Sequence, residues 1–228
     1  MNWPPVAELL LHVLMPESCP VCGKLASPLC RECLERISAP EPPLPHCLRC
    51  GGASPCERHG RRYEVRPLTL HKGEARELLL AVKYGGSGAA AQKMGAALAR
   101  LAGENERQSG WAIVLIPPHP RACFFPRGDS HLQWMARGLA GALGVPVREC
   151  LRWKEKRTPQ KQQPDSRSRR AMPEDIFACA CADEAPERVL LLDDVCTTGT
   201  TLLRAAQSLY AAGAQQVLSL CWSAAPER

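Results

Sequence analysis

Two stretches of this chain place reactive residue types at spacings that chemistry demands. The first runs Cys19-Pro-Val-Cys22, Cys30-Arg-Glu-Cys33, Cys47-Leu-Arg-Cys50 and Cys56-Glu-Arg-His59, four pairs each with a two-residue gap. That gap lets both side chains of a tight knuckle face one ion, and tetrahedral Zn²⁺ completes its shell with a second pair of thiolates or imidazoles. Gly23 after Cys22, and Gly51-Gly52 after Cys50, supply the permissive backbone such turns need. Eight protein-supplied positions suit two closed, structural Zn²⁺ sites with no open position for water. Free buried cysteines would behave as small hydrophobes and would need neither the repeated gap nor the glycines. Two points stay open from spacing alone. His59 has Arg58 and Arg61 beside it and could be solvated surface, with His46 next to Cys47 as a weaker substitute, and the pairs could be consecutive or interleaved.

The second stretch is Arg188-Val-Leu-Leu-Leu-Asp193-Asp194-Val-Cys196-Thr197-Thr198-Gly199-Thr200-Thr201-Leu-Leu-Arg204. Val189 to Leu192 is an all-apolar run suited to a strand buried on both faces of a parallel sheet. Leu202 to Ala212 has helical apolar spacing and stops at Gly213. The loop between them therefore leaves the carboxyl end of a strand and opens a helix, where unpaired N–H groups and the helix dipole favour a phosphate. The threonine hydroxyls add donors, and Gly199 permits close backbone approach. Two acids directly before an anion site suit a phosphosugar, whose hydroxyls they accept from, and the Mg²⁺ that a pyrophosphate brings. A capped helix after a buried strand explains one Asp or one Thr, but not both acids and four threonines around a glycine.

The elements that must position these residues are legible upstream. Trp111 to Ile116 reads as another buried strand, broken by Pro117-Pro118-His119-Pro120-Arg121 and followed by Arg127-Gly128-Asp129-Ser130-His131. A helix over Leu132 to Leu143 ends at Gly144, and Val145-Pro-Val147 begins a further strand. Strand, loop, helix and strand twice over imply right-handed crossovers and a parallel sheet with both loops on one edge. Arg76 to Tyr84 reads as a helix ending at Gly85-Gly86 with Lys83 in its last turn, and Ala89 to Leu101 as another.

Val189 to Leu202 resembles the ribose-phosphate-binding signature of type I phosphoribosyltransferases. That resemblance gives Asp193 and Asp194 the ribose hydroxyls of phosphoribosyl pyrophosphate (PRPP), and Thr197, Thr198, Gly199, Thr200 and Thr201 its 5′-phosphate. Cysteine pairs, then Leu78-Leu-Leu-Ala-Val-Lys83-Tyr84, Ile116-Pro-Pro-His-Pro-Arg121, an Arg-Gly element and the Asp-Asp-Thr/Gly loop together resemble the bacterial ComF family of competence proteins over nearly the whole chain. The fold so implied is α/β: a type I phosphoribosyltransferase-like parallel sheet flanked by helices, behind a small N-terminal zinc-binding module. The boundaries are 1–62 for the module and 63–228 for the phosphoribosyltransferase-like domain. By the same resemblance Lys83, Arg121 and Arg127 line the site, although each could be an ordinary solvated cation. The chain departs from the family in having Asp129-Ser130-His131 where Phe-Asn-Gln is usual, and in lacking an asparagine near Arg169 to Met172.

Composition and charge bound the remaining readings. The chain has 228 residues, 45% of them apolar and 23% charged, enough for a packed core, so a disordered or collagen-like chain is excluded. Aromatic residues make up 5% and Ala, Leu and Gly runs dominate, favouring helices on a small sheet over a β-sandwich. Of 13 cysteines, seven fall between Cys19 and Cys56. The start lacks a basic n-region, and its apolar run is interrupted by Glu8 and His12, far short of the roughly 20 residues of a spanning helix. A cytoplasmic location, reduced thiols and no transmembrane segment are the expectation.

The net charge is +6, and Arg152 to Arg170 alone carries eight basic residues against two acids. With its glutamines, prolines and serines this segment reads as a loop that closes over PRPP or, alternatively, grips single-stranded DNA or RNA, or is simply solvated. Three functions follow. One is a PRPP- or nucleoside-monophosphate-binding phosphoribosyltransferase-like protein in DNA uptake or nucleotide salvage. A turnover would be a ribosyl 5-phosphate transfer in which pyrophosphate leaves with help from Mg²⁺ and basic residues. Another is a non-enzymatic zinc-containing adaptor for single-stranded DNA or proteins of the uptake machinery. Transcriptional control sensing PRPP comes last, because no recognition helix is legible.

Overall fold

The structure is a computed structural model that describes residues 17–25, 27–38, 42–107, 110–118, 129–154, 176–180 and 185–225. Arg121, Arg127 and residues 155–170 of the basic segment lie outside the described residues.

A helix α1 (Arg31–Ser38) and a two-residue strand β1 (His46–Cys47) come from the cysteine segment. The chain continues through β2 (Glu64–Leu70), α2 (Gly73–Gly85), α3 (Gly88–Leu98) and β3 (Trp111–Leu115). Next come α4 (His131–Leu143), β4 (Val147–Arg148), β5 (Leu151–Trp153) and β6 (Phe177–Cys179). The last elements are β7 (Arg188–Cys196), α5 (Thr200–Ala211) and β8 (Gln216–Ala224).

The main sheet has the order β1-β2-β8-β7-β3-β4. Every pairing in it is parallel except β1 on β2, where Cys47 lies opposite Glu64. β7 is central, and Val189 to Leu192 are fully buried, as expected of a strand covered on both faces. α3 and α4 pack on β8, β3 and β7, while α5 packs on β7, β8 and β6. The result is the mixed α/β architecture implied by the sequence, a mostly parallel sheet flanked by helices.

Several boundaries move. The strand of the second motif runs through the acidic pair to Cys196, because residues 193–196 stay in register with β8. The following helix starts at Thr200, two residues before the apolar periodicity becomes readable. The helix expected over Ala89 to Leu101 is α-helical only to Leu98 and tightens to a 3₁₀ turn over Ala99–Leu101. Arg152 and Trp153, read as the start of a loop, belong to β5, which pairs antiparallel with β6.

α3 and α4 approach unusually closely. A Cβ at Gly95 would stand 1.8 Å from the Met135 carbonyl oxygen, and one at Gly138 would stand 1.9 Å from that of Gln92. Glycine at both crossings is therefore obligatory for this packing. α2 is anchored differently: buried Trp222 on β8 donates its indole N–H to the Ala75 carbonyl at 2.9 Å. That bond ties the helix carrying Lys83 to the sheet.

Candidate functional site

The carboxyl ends of the parallel strands bring the second motif together. Asp193 and Asp194 continue β7, and the chain then turns through Thr197 and Thr198 to Gly199, which enters α5 in the left-handed conformation at φ 70°. The Thr198 and Thr200 hydroxyls are 2.9 Å apart. Asp193 and residues 195–202 line a small cleft of about 20 Å³.

Two nitrogens converge on one carboxylate oxygen. Lys83 Nζ, in the last turn of α2, lies 2.9 Å from Asp194 Oδ2, and His131 Nε2 lies 2.8 Å from the same atom. The Asp194 N–H donates to Asp193 Oδ1 at 2.8 Å. Burial alone would raise Asp194, but the hydrogen bonds from His131 and Lys83 outweigh it and hold its carboxyl well below the usual range. Asp193 has no such partners. Burial, then the neighbouring Asp194 charge, push it up to about 8. Burial opposes the Lys83 charge, yet Asp194 raises its pKa. Of the pair, Asp194 is therefore the one that favours the charge, and Asp193 the one that favours the proton.

His131 stands here because α4 starts where it does. Ser130 caps the helix, accepting from the Gln133 N–H, while the Gln133 side chain accepts from the Ser130 N–H. Asp129 is paired with Arg137 at 2.7 Å. The three residues by which the chain departs from the family pattern therefore form an ion pair, a helix cap and a contact to the acidic pair. His71, after β2, is a further neighbour not singled out in the sequence, with Nδ1 2.8 Å from Ser223 Oγ. Its pKa is lowered by burial first and then by Arg76, and Asp194 opposes the shift.

The cysteine segment resolves into two donor groups. Cys19, Cys22, Cys30 and Cys33 form one, and Cys47, Cys50, Cys56 and His59 the other, the donor atoms of each all within 4.8 Å of one another. Consecutive pairs therefore combine, and no interleaving occurs. Tetrahedral Zn²⁺ at 2.3 Å from sulfur needs donors ~3.8 Å apart. Cys22 and Cys30 sulfurs are 3.7 Å apart, and His59 Nδ1 is 3.6 Å from Cys47 Sγ and 3.5 Å from Cys56 Sγ. Both groups fit a metal ion. Burial opposes ionisation of Cys19, but N–H groups of Cys30, Cys22 and Val21 prevail and lower it to about 6, as a thiolate ligand requires. His46 is not in either group. Its Nε2 instead faces Cys196 Sγ at 4.0 Å.

Specific bonds tie the segment to the residues that follow β2. Arg36 pairs with Glu74 at 2.7 Å, Lys93 donates to the Leu29 carbonyl at 2.8 Å, and Arg100 donates to Ser38 Oγ at 2.7 Å.

No family model matches the chain. Competence protein ComFC of Streptococcus pneumoniae (strain ATCC BAA-255 / R6) is 26% identical over 198 residues, covering 83% of this chain and 84% of that protein. The chain is ComF-like. Among solved structures, the ComF-like chain is similar to the allosteric regulatory enzyme of purine biosynthesis, with a TM-score of 0.39 and 22% identity over 59% of this chain and 26% of that one. The glutamine PRPP amidotransferase from B. subtilis complexed with ADP and GMP gives 0.37 and 21% over the same shares, 59% and 26%. Orotate phosphoribosyltransferase from Aeropyrum pernix gives 0.33 and 17%, over 82% of this chain and 77% of that one. The ComF-like chain spans about a quarter of the length of the first two, 26% in each case. Among the described residues no helix is long and apolar enough to cross a membrane.

Proposed function

We propose that this ComF-like chain binds the ribose 5-phosphate part of PRPP or of a nucleoside monophosphate, in support of DNA uptake. The observation that carries this reading is the continuity of Asp193 and Asp194 with the Gly199 loop at the start of α5, on the carboxyl edge of a parallel sheet. The 5′-phosphate sits against the N–H groups and hydroxyls of Thr197 to Thr201. The ribose hydroxyls lie on the acidic pair, where ionised Asp194 accepts and protonated Asp193 both donates and accepts. Lys83 faces the pyrophosphate side and balances Asp194. Arg121 and Arg127 belong to the same proposal, on the resemblance alone.

Mg²⁺ enters with the pyrophosphate rather than on the acids. The donor set argues against direct ligation, because Asp194 Oδ2 already faces Lys83 Nζ and His131 Nε2, and burial disfavours a charge on Asp193. The two cysteine groups hold Zn²⁺ as structural ions, with every coordination position filled by protein, and residues 1–62 act as a module docked on residues 63–228. The competence role rests on the relative named Competence protein ComFC.

Calorimetric titration of the zinc-replete protein with PRPP in excess Mg²⁺ tests the reading. Heat that saturates in the wild type and vanishes in the Asp193→Asn, Asp194→Asn double variant is expected. A wild type that gives no heat with PRPP or with a nucleoside monophosphate overturns it.

A further inference from the structure

The second donor group does more than close its own knuckle. Gly199 enters α5 at φ 70° with no side-chain cap of its own. Bonds within and beside the turn brace it: the Thr198 hydroxyl lies 2.9 Å from that of Thr200, and the Ala225 N–H donates to the Cys196 carbonyl at 2.9 Å. Leu48 adds a contact from outside the loop. A Cβ built at Gly199 would stand 2.6 Å from Leu48 Cδ2, which puts the leucine methyl directly on the glycine backbone. Leu48 is 8% exposed and lies between Cys47 and Cys50 in the knuckle of that group. On the other side of Cys47, His46 Nε2 faces Cys196 Sγ, at the strand end of the same loop. One knuckle thus touches both ends of the turn from Cys196 to Gly199.

The knuckle is short and is joined to the sheet only at its edge. β1 is two residues long, and the main ties are Leu48 N–H to the Tyr63 carbonyl, Cys47 N–H to Gly52 and Gly51 N–H to Cys47, each 2.8 Å. A metal ion shared by Cys47, Cys50, Cys56 and His59 would fix the backbone between the ligands, and with it the side chain of Leu48. The three atoms nearest to a Cβ at Gly199 belong to Leu48 and Cys196, and none of them to the first donor group.

We propose that Leu48 is the positioning residue of the Thr197–Thr201 loop, coupling metal occupancy of the Cys47/Cys50/Cys56/His59 group to the conformation that receives the phosphate. The coupling to phosphate rests on the function proposed above; the coupling to loop conformation does not. Linkage makes it reciprocal: a ligand that stabilises the loop raises the metal affinity of this group by the factor by which the metal improves ligand affinity.

The test is hydrogen exchange over residues 196–204 in the full-length zinc-loaded chain, without ligand. Leu48→Ala, which keeps every metal donor, is expected to speed exchange there by roughly tenfold with zinc content unchanged, and Leu48→Met to restore the wild-type rate. His59→Ala is expected to match Leu48→Ala, whereas Cys30→Ser in the first group leaves this segment at the wild-type rate. Unchanged exchange in Leu48→Ala at full zinc content overturns the inference, even if PRPP binds. Faster exchange in a protein that gives no heat with PRPP overturns the proposed function and leaves the coupling standing. Where PRPP binds, it is expected to raise the chelator concentration needed at equilibrium to remove zinc from the second group only, and equal protection of both groups counts against the coupling.

Discussion

His131 Nε2 lies 2.8 Å from Asp194 Oδ2, bridging the first turn of α4 to the end of β7. The hydrogen bond holds one orientation of the carboxylate. Removing a bond of this kind costs about 1.5 kcal/mol, roughly a tenfold change in an equilibrium constant. His131→Ala is therefore expected to weaken PRPP about tenfold in calorimetry, and His131→Gln, which keeps an N–H donor, to recover part of the loss. Equal affinity in the alanine variant would remove His131 from the site.

Much of this arrangement was legible in the chain and some was not, for physical reasons. Apolar runs such as Val189 to Leu192 announce a buried strand because burial on both faces leaves no polar alternation, and Gly144 and Gly86 end helices because both take the left-handed conformation. The acidic pair and the Thr/Gly loop stand together because they are contiguous. His131 is different: its partner is 63 residues away, and nothing local says that α4 aims its first turn at β7. The capping box Ser130-His-Leu-Gln133 was readable and would have fixed the helix start, but not its direction. The cysteine pairing was ambiguous because all four pairs have the same gap. Nothing local marks Leu48 between its two ligands, and only the packing on Gly199 gives it a role.

The two donor groups imply two bound zinc ions per chain. Cys30→Ser and Cys56→Ser are each expected to release one ion, measured by metal analysis after dialysis, and each is expected to lower thermal stability, since the ions replace apolar core in this segment. A wild type holding a single ion, lost equally in both variants, would mean that one group is not a metal site.

The close crossing of α3 and α4 makes a sharp stability prediction. Gly138→Ala places a methyl 1.9 Å from the Gln92 carbonyl oxygen, a contact with backbone that no rotamer change relieves. The helices must separate, at a cost of about 3 kcal/mol. Urea unfolding is expected to show that loss. By contrast, Gly141→Ala on the same helix meets nothing within 4 Å and is expected to be neutral or slightly stabilising, because it raises helix propensity.

The acidic pair gives stability a pH dependence that one substitution isolates. Folding raises the Asp193 carboxyl from 3.8 to about 8, through burial and the Asp194 charge. Between those values the folded protein keeps a proton that the unfolded chain has released. The contribution of Asp193 is therefore complete below its unfolded pKa and is lost as pH rises through about 8. Asp193→Asn keeps the shape and a hydrogen-bonding side chain but carries no charge at any pH, so it escapes this loss. The variant is expected to gain on the wild type from pH 5 to about pH 8 and to level off above it, seen as a melting-temperature difference that widens over that range. Asp194→Asn is expected to behave oppositely. The Asp194 pKa is depressed by His131 and Lys83, so its contribution is present above the unfolded value of 3.8 and disappears only in acid. That variant is expected to be less stable than the wild type at pH 7, by about 1–2 kcal/mol, with Lys83 and His131 left facing an amide. Melting curves for both variants at five or six pH values distinguish the two residues. Parallel pH profiles for the two asparagine variants would show that the acids share the charge equally, contrary to the asymmetry of their partners.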